Sequence, residues 1–164
     1  MNHLPISSHP ARSDRLPWLV GLATLLSIGM GWSFMQASEK PVPITVFKSP
    51  SCECCTAWIQ HLTRHGFAVT VENREDMMAV KRTLGVPDGM ASCHTGVVDG
   101  YVVEGHLPAG DIHRLLRERP SVLGIGVPGM PIGSPGMELP GAKPEPYVVF
   151  AFGQDGRSQP FANH

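Results

Sequence analysis

Residues 44–71 read ITVFKSPSCECCTAWIQHLTRHGFAVTV, and this stretch decides the fold. Ile44 to Phe47 is a short β-branched and aromatic run bounded by Lys48-Ser-Pro50, which reads as a strand. Ser51 is placed to cap a helix that begins inside the cysteine cluster. Its apolar residues, Cys55, Trp58, Ile59 and Leu62, recur three and four apart on one face, and Gly66 supplies the stop. Phe67 to Val71 then alternates, with Phe67, Val69 and Val71 on one side, as a second strand. A strand, a crossover helix and a strand imply that the two strands run parallel.

Working outward, Met77, Val80 and Leu84 share one side of a second helix that ends at Gly85. Gly96–Val98 and Tyr101–Val103 flank Asp99-Gly100, a favoured two-residue hairpin turn. Pro108 suits the first turn of a third helix that turns Ile112, Leu115 and Leu116 inward and stops at Pro120. The order β-α-β-α-β-β-α is that of a thioredoxin-like α/β domain. Gly124–Pro146 is rich in Gly, Pro and Met and predicts an irregular loop. Tyr147–Phe152 predicts one extra C-terminal strand, added at the sheet edge. No internal repeat interrupts this order.

The chain has 164 residues, enough for one domain with appendages. Its net charge of −1 provides no basic surface for phosphates, so nucleic acid is not an expected partner. Leu16 to Met35, LPWLVGLATLLSIGMGWSFM, carries no charge and follows Arg12 and Arg15. That length crosses a bilayer as a helix, and the basic flank orients the remainder outward. Two readings stay open. One is an uncleaved inner-membrane anchor over residues 16–35. The other is a signal peptide cut near Ala37, for which Met35 is a poor small-residue match. Either way the expected organisation is a signal or anchor segment at 1–37, a linker at 38–43 and an exported, periplasmic domain at 44–164.

Sulfur is concentrated at one place: Cys52, Cys54 and Cys55 fall in Cys-Glu-Cys-Cys, and Cys93 stands alone before His94. A stapling framework would spread its cysteines along the chain. The triplet falls where the first strand hands over to the first helix, and a helix N-terminus stabilises thiolates. Thiolates are both the nucleophiles of disulfide chemistry and the ligands of soft metals. Cys52 and Cys55 have the C-x-x-C spacing of an exported thiol–disulfide oxidoreductase. Cys54 argues instead for metal, as a third thiol that would scramble a mixed disulfide or serve as a ligand. Cys93 stands where thioredoxins carry a cis-proline facing the C-x-x-C pair, which brings a fourth sulfur to the same point.

Thiolates suit Cu(I), zinc and iron–sulfur clusters. Structural zinc recruits separated pairs, and a triplet plus a single is not that pattern, so zinc ranks below copper. Iron–sulfur spacings are not matched. The expected cofactor is copper, as Cu(I), with a polynuclear thiolate-bridged site as a hypothesis within that reading. Met130 and Met137 add thioethers in the irregular loop, where they are candidate auxiliaries or covers of apolar surface. His94 is a candidate ligand by position. His106 reads as a loop residue, His61, His65 and His113 as exposed faces or ends of helices, and His164 as tail. Lys48 is expected near the thiolates, moderating their charge.

Four motifs in order resemble the CopG-type copper-resistance family, formerly a metal-binding domain of unknown function. They are Val46-Phe-Lys-Ser-Pro-Ser-Cys-Glu-Cys-Cys55, Ser92-Cys-His-Thr95 leading into Val-Val-Asp-Gly-Tyr101, Glu104-Gly-His-Leu-Pro108 and Val127-Pro-Gly-Met-Pro-Ile-Gly-Ser-Pro-Gly-Met-Glu138. The resemblance spans roughly residues 43–153. It implies a thioredoxin-like fold, a periplasmic setting, copper on Cys52, Cys54, Cys55 and Cys93, and a role in copper tolerance that extends to Cu(I)/Cu(II) chemistry. Copper ions and other periplasmic copper-handling proteins are then the expected partners, with the inner membrane engaged through the N-terminal segment. The rivals are the disulfide oxidoreductase on Cys52 and Cys55 and a structural-zinc interaction module.

Overall fold

A computed structural model describes residues 40–164; the expected membrane or signal segment lies outside the described residues. Strand β1 (Val42–Lys48) begins two residues before Ile44. Pro43 falls where β1 is flanked by a partner on one side only, which a strand proline tolerates. Helix α1 (Glu53–Arg64) follows, then β2 (Phe67–Asn73), which pairs parallel with β1 as the crossover required. Cys55, Trp58 and Leu62 are fully buried along one face of α1. The alternation expected of Phe67, Val69 and Val71 is only half realised: Phe67 is buried, whereas Val71 is exposed because β2 is the sheet's outer strand.

Helix α2 (Met77–Thr83) is capped by Asp76, whose Oδ1 accepts from the Ala79 amide at 2.8 Å. Its expected apolar face is only half-buried. The residue α2 buries completely is Lys81, which the apolar pattern did not single out. A short 3-10 turn at Asp88–Met90 leads to β3 (His94–Val98) and β4 (Tyr101–Glu104). Between them Asp99 and Gly100 have φ of 48° and 83°, the double left-handed turn that the Asp-Gly pair predicts. Helix α3 (Ala109–Glu118) buries Ile112 and Leu115 and ends on Arg119 in a left-handed conformation, one residue before Pro120.

Two expectations are corrected beyond this point. Gly124–Gly126 is strand β5, pairing parallel with β4, not part of an irregular loop. A Cβ on Gly124 would stand 2.0 Å from the Val102 carbonyl oxygen, so the glycine permits the close pairing and also hides it from a propensity reading. The Tyr147–Phe152 run forms β6 (Val148–Phe152), and it is interior: β7 (Ser158–Asn163) covers its other side and forms the edge. Pro160 in β7 is tolerated at an edge strand, next to a register shift. The result is a mixed α/β fold, a seven-stranded sheet in the order β2-β1-β3-β4-β5-β6-β7 with three helices.

The main core joins Trp58 and Leu62 of α1, Ile112 and Leu115 of α3, and Ile44, Val46, Val103 and Ile125 of the sheet. A smaller cluster of Val86, Met90, Val102 and Phe152 lies with Leu84 and Leu123. Among the described residues no helix is long and apolar enough to cross a membrane.

Candidate metal centre

Cys52 is the N-cap residue of α1, with extended backbone and no side-chain cap bond. Its amide donates to the Ser49 carbonyl at 3.1 Å. The buried Lys48 ammonium donates to the carbonyls of Ser49 (2.8 Å) and Pro50 (3.4 Å), so its charge is spent on closing the loop that presents the cysteines. Cys52 and Cys55 are joined as a disulfide, and Cys54 and Cys93 are free. Cys54 Sγ lies 3.6 Å from Cys52 Sγ and 3.8 Å from Cys93 Sγ. The Cys52, Cys54 and Cys93 sulfurs all fall within 4.8 Å of one another. The four expected cysteines therefore meet, three as a compact sulfur group and Cys55 buried beneath them through its bond to Cys52.

Met130 adds a thioether: its Sδ lies 2.8 Å from Cys93 Sγ, and its side chain is half exposed. The approach has a visible cause. Ser92 Oγ donates to the Gly129 carbonyl at 2.8 Å, tying the Gly/Pro/Met loop to the residue before Cys93. The same loop packs on α1 at Gly136, whose φ is +85° and where a Cβ would stand 2.8 Å from the Trp58 amide nitrogen. Met137 is half-buried; its backbone bonds to Ser134 and Gly133, and the hydrogen bonds of the cysteine sulfurs among the described residues run to one another and to Met130, not to Met137.

Residues 92–95 are held from below by a buried charge network that the sequence reading missed. Glu104 Oε1 accepts from the Ser92 amide (2.6 Å) and from Lys81 Nζ (2.6 Å), and Glu104 Oε2 accepts from Thr95 Oγ1 (2.6 Å). Lys81 also donates to Thr95 Oγ1 at 2.9 Å. Burial pushes the Glu104 carboxyl up, against the opposing pull of Lys81 and Thr95. The carboxylate thus brackets Cys93 on both sides. Burial, reinforced by the neighbouring Cys54, pushes the Cys93 thiol up to about 11. A cation binding there must displace the proton.

His94 does not enter the sulfur group. It is fully buried, with its ring 4.2 Å from that of Trp58, and Nε2 donates to the Gly105 carbonyl at 2.9 Å. His106, expected as an ordinary loop residue, is also fully buried, its Nδ1 donating to the Pro135 carbonyl at 2.9 Å. Burial lowers the pKa of both rings. His164, expected as tail, bonds Asp111 Oδ2 through Nε2 at 2.7 Å. No periodicity marks His106 or His164, because both act through contacts distant in sequence.

The donor set is three thiol-type sulfurs and a thioether, with no carboxylate among them. Such a set fits a soft cation and does not fit calcium or magnesium, which take oxygen ligands.

A family model described as "Protein of unknown function, DUF411" matches residues 90–137. Two solved structures are similar to this chain: "Copper resistance protein copG- Form 1" and "Copper resistance protein copG- Form 2". Each is 49% identical and covers 76% of this chain. The coverage of their own chains is 98% and 99%, with TM-scores of 0.71 and 0.72. No curated protein matches.

Proposed function

The chain belongs to the CopG copper-resistance family, and from that premise we propose that it is a periplasmic copper-binding protein of copper tolerance. The observation that carries the reading is the convergence of Cys52, Cys54 and Cys93 within 4.8 Å, with Met130 against Cys93. Reduction of the Cys52–Cys55 bond frees all four thiols, which then hold Cu(I), with Met130 as thioether auxiliary. Sulfurs this close bridge neighbouring d10 ions, which makes a polynuclear site the natural product. Recruiting His94 or Met137, the other two expected auxiliaries, requires the site to rearrange on loading.

The fold reading within this proposal is thioredoxin-like. Its support is the order β2-β1-β3-β4 with β1 and β2 parallel and the cysteines at the start of α1. Residues 16–35 serve as inner-membrane anchor or as a signal cut near Ala37, and residues 44–164 as the exported domain. Other periplasmic copper-handling proteins are the proposed exchange partners. Copper redox chemistry balances on the same residues: oxidation of the Cys52/Cys55 dithiol to the disulfide reduces two Cu(II) to two Cu(I) and releases two protons.

A second reading has its own observation. The Cys52–Cys55 disulfide favours an exported thiol–disulfide oxidoreductase in which copper is incidental. One experiment separates the two: reduce the full chain in mild detergent, load Cu(I) anaerobically, and measure copper, zinc and free thiols per chain. More than one copper with four shielded thiols is expected. No retained copper, with a reversible Cys52–Cys55 bond that turns over a disulfide substrate, replaces the copper reading by the second. A single zinc whose removal unfolds the chain replaces both.

A further inference from the structure

Glu104 holds the chain on both sides of Cys93 and on the approach to Met130. It lies directly opposite Thr95 across the β3–β4 pair, and its Oε2 accepts from the Thr95 hydroxyl at 2.6 Å. Its Oε1 reaches the other way, to the Ser92 amide at 2.6 Å. Between these anchors the backbone is tied once more, since the Gly105 amide donates to the His94 carbonyl at 3.1 Å. Ser92 comes this close because residue 105 is glycine: a Cβ there would stand 2.9 Å from Ser92 Cβ and Oγ. The Met130 arm is tied to the same place. The Glu104 carbonyl accepts from the Val127 amide at 3.0 Å, and Ser92 Oγ donates to the Gly129 carbonyl at 2.8 Å. Met130 Sδ then rests 2.8 Å from Cys93 Sγ.

Folding alone does not call for a charge at this position. Glu104 is completely buried at the end of β4, where apolar residues are the rule. A buried ion pair is often replaceable by hydrophobic residues of similar volume with no loss of stability. What an apolar residue lacks is an acceptor for the Ser92 amide and the Thr95 hydroxyl. Lys81 supplies the compensating charge, its Nζ lying 2.6 Å from Glu104 Oε1 and 2.9 Å from Thr95 Oγ1. We propose that Glu104, oriented by Lys81, is a positioning residue for the sulfur group; this rests on the copper reading of that group. It holds Cys93 Sγ 3.8 Å from Cys54 Sγ and keeps the Met130 thioether against Cys93. The carboxylate acts through Ser92, Thr95 and Lys81, to which its hydrogen bonds run, and not as a ligand. Partners of this kind, one step removed from the metal, typically change its affinity by about 10–100-fold when lost.

The test compares two double variants of the full chain in mild detergent, both of which remove the charge pair. Lys81→Met with Glu104→Leu also removes both acceptors. Lys81→Met with Glu104→Gln keeps an acceptor for the Ser92 amide and a donor to Thr95 Oγ1. In the oxidised, metal-free chain Cys54 and Cys93 are the free thiols, and peptide mapping after alkylation reads the rate at each. The leucine variant should alkylate several-fold faster at Cys93, with Cys54 changed less. After reduction its Cu(I) affinity, read against a competing chelator, should fall by about 10–100-fold. The glutamine variant should recover most of both losses. A folded leucine variant with the original Cys93 rate and Cu(I) affinity would overturn the proposal. Equal losses in the two variants would also overturn it, because the charge and not the anchoring would then be responsible. If the leucine variant does not fold, Thr95→Val removes one anchor with little change of shape, and the same two readouts decide. An unsubstituted chain that binds no Cu(I) removes the copper reading, and the Cys93 alkylation rates then decide the positioning by themselves.

Discussion

Lys81 and Glu104 form an ion pair with Nζ to Oε1 at 2.6 Å and side-chain exposures of 3% and 0%, joining α2 to β4 directly under the Cys93 loop. Two charges removed from water are held there by each other, by Thr95 and by the Ser92 amide. Removing one partner strands the other. Lys81→Met should destabilise the chain by about 3–5 kcal/mol, as for other broken buried pairs. Adding Glu104→Leu to that variant should recover much of the loss, because no uncompensated charge remains. Chemical denaturation of the three variants checks this; a double variant no more stable than Lys81→Met would contradict it.

Met130 separates binding from stability. Its side chain is half exposed, so Met130→Leu should change unfolding free energy by no more than about 0.5 kcal/mol. Its sulfur sits against Cys93, so Cu(I) affinity, read against a competing chelator, should fall. Equal affinity in the two proteins would remove Met130 from the proposed ligand set.

The legible part of the fold is the part written in local pattern. The α1 face of Cys55, Trp58 and Leu62 and the Asp99-Gly100 turn both follow from short-range rules. So does the meeting of three cysteines at a helix start. What stayed hidden depends on partners far along the chain. β5 pairs through Gly124, which carries no propensity signal, and β7 is a polar edge strand containing Pro160. Lys81 reads as a surface charge until Glu104, 23 residues on, is placed beside it. Met130 reached the cysteines through a Ser92–Gly129 bond 37 residues apart, and Met137, identical in type, did not.

Gly136 tests how the loop is seated. Gly129 and Gly136 both have positive φ, 74° and 85°, so alanine strains the backbone at either. Only at Gly136 does the added Cβ meet the α1 backbone, 2.8 Å from the Trp58 nitrogen, whereas Gly129 faces open space. Gly129→Ala should therefore cost about 1 kcal/mol. Gly136→Ala should cost more and loosen the loop, lowering Cu(I) affinity together with the melting temperature. Comparable losses at the two positions would mean that the contact with α1 is not what seats the loop.

Buried His106 and His94 give metal-free stability a definite pH sign. Their folded-state pKa values are lowered from 6.5 by burial, so between that value and the folded one the unfolded chain binds more protons. Their contribution is fully present above pH 6.5 and is lost as pH falls below it, by up to about 1.4 kcal/mol per pH unit for each group. Urea unfolding of the metal-free chain from pH 7.5 down to about pH 5 should show the decline, and His106→Phe should flatten it by removing one of the two contributing groups. A profile with the same slope in both proteins would show that the acid sensitivity arises elsewhere, and one that rises toward pH 5 would mean that His94 and His106 accept protons inside the fold.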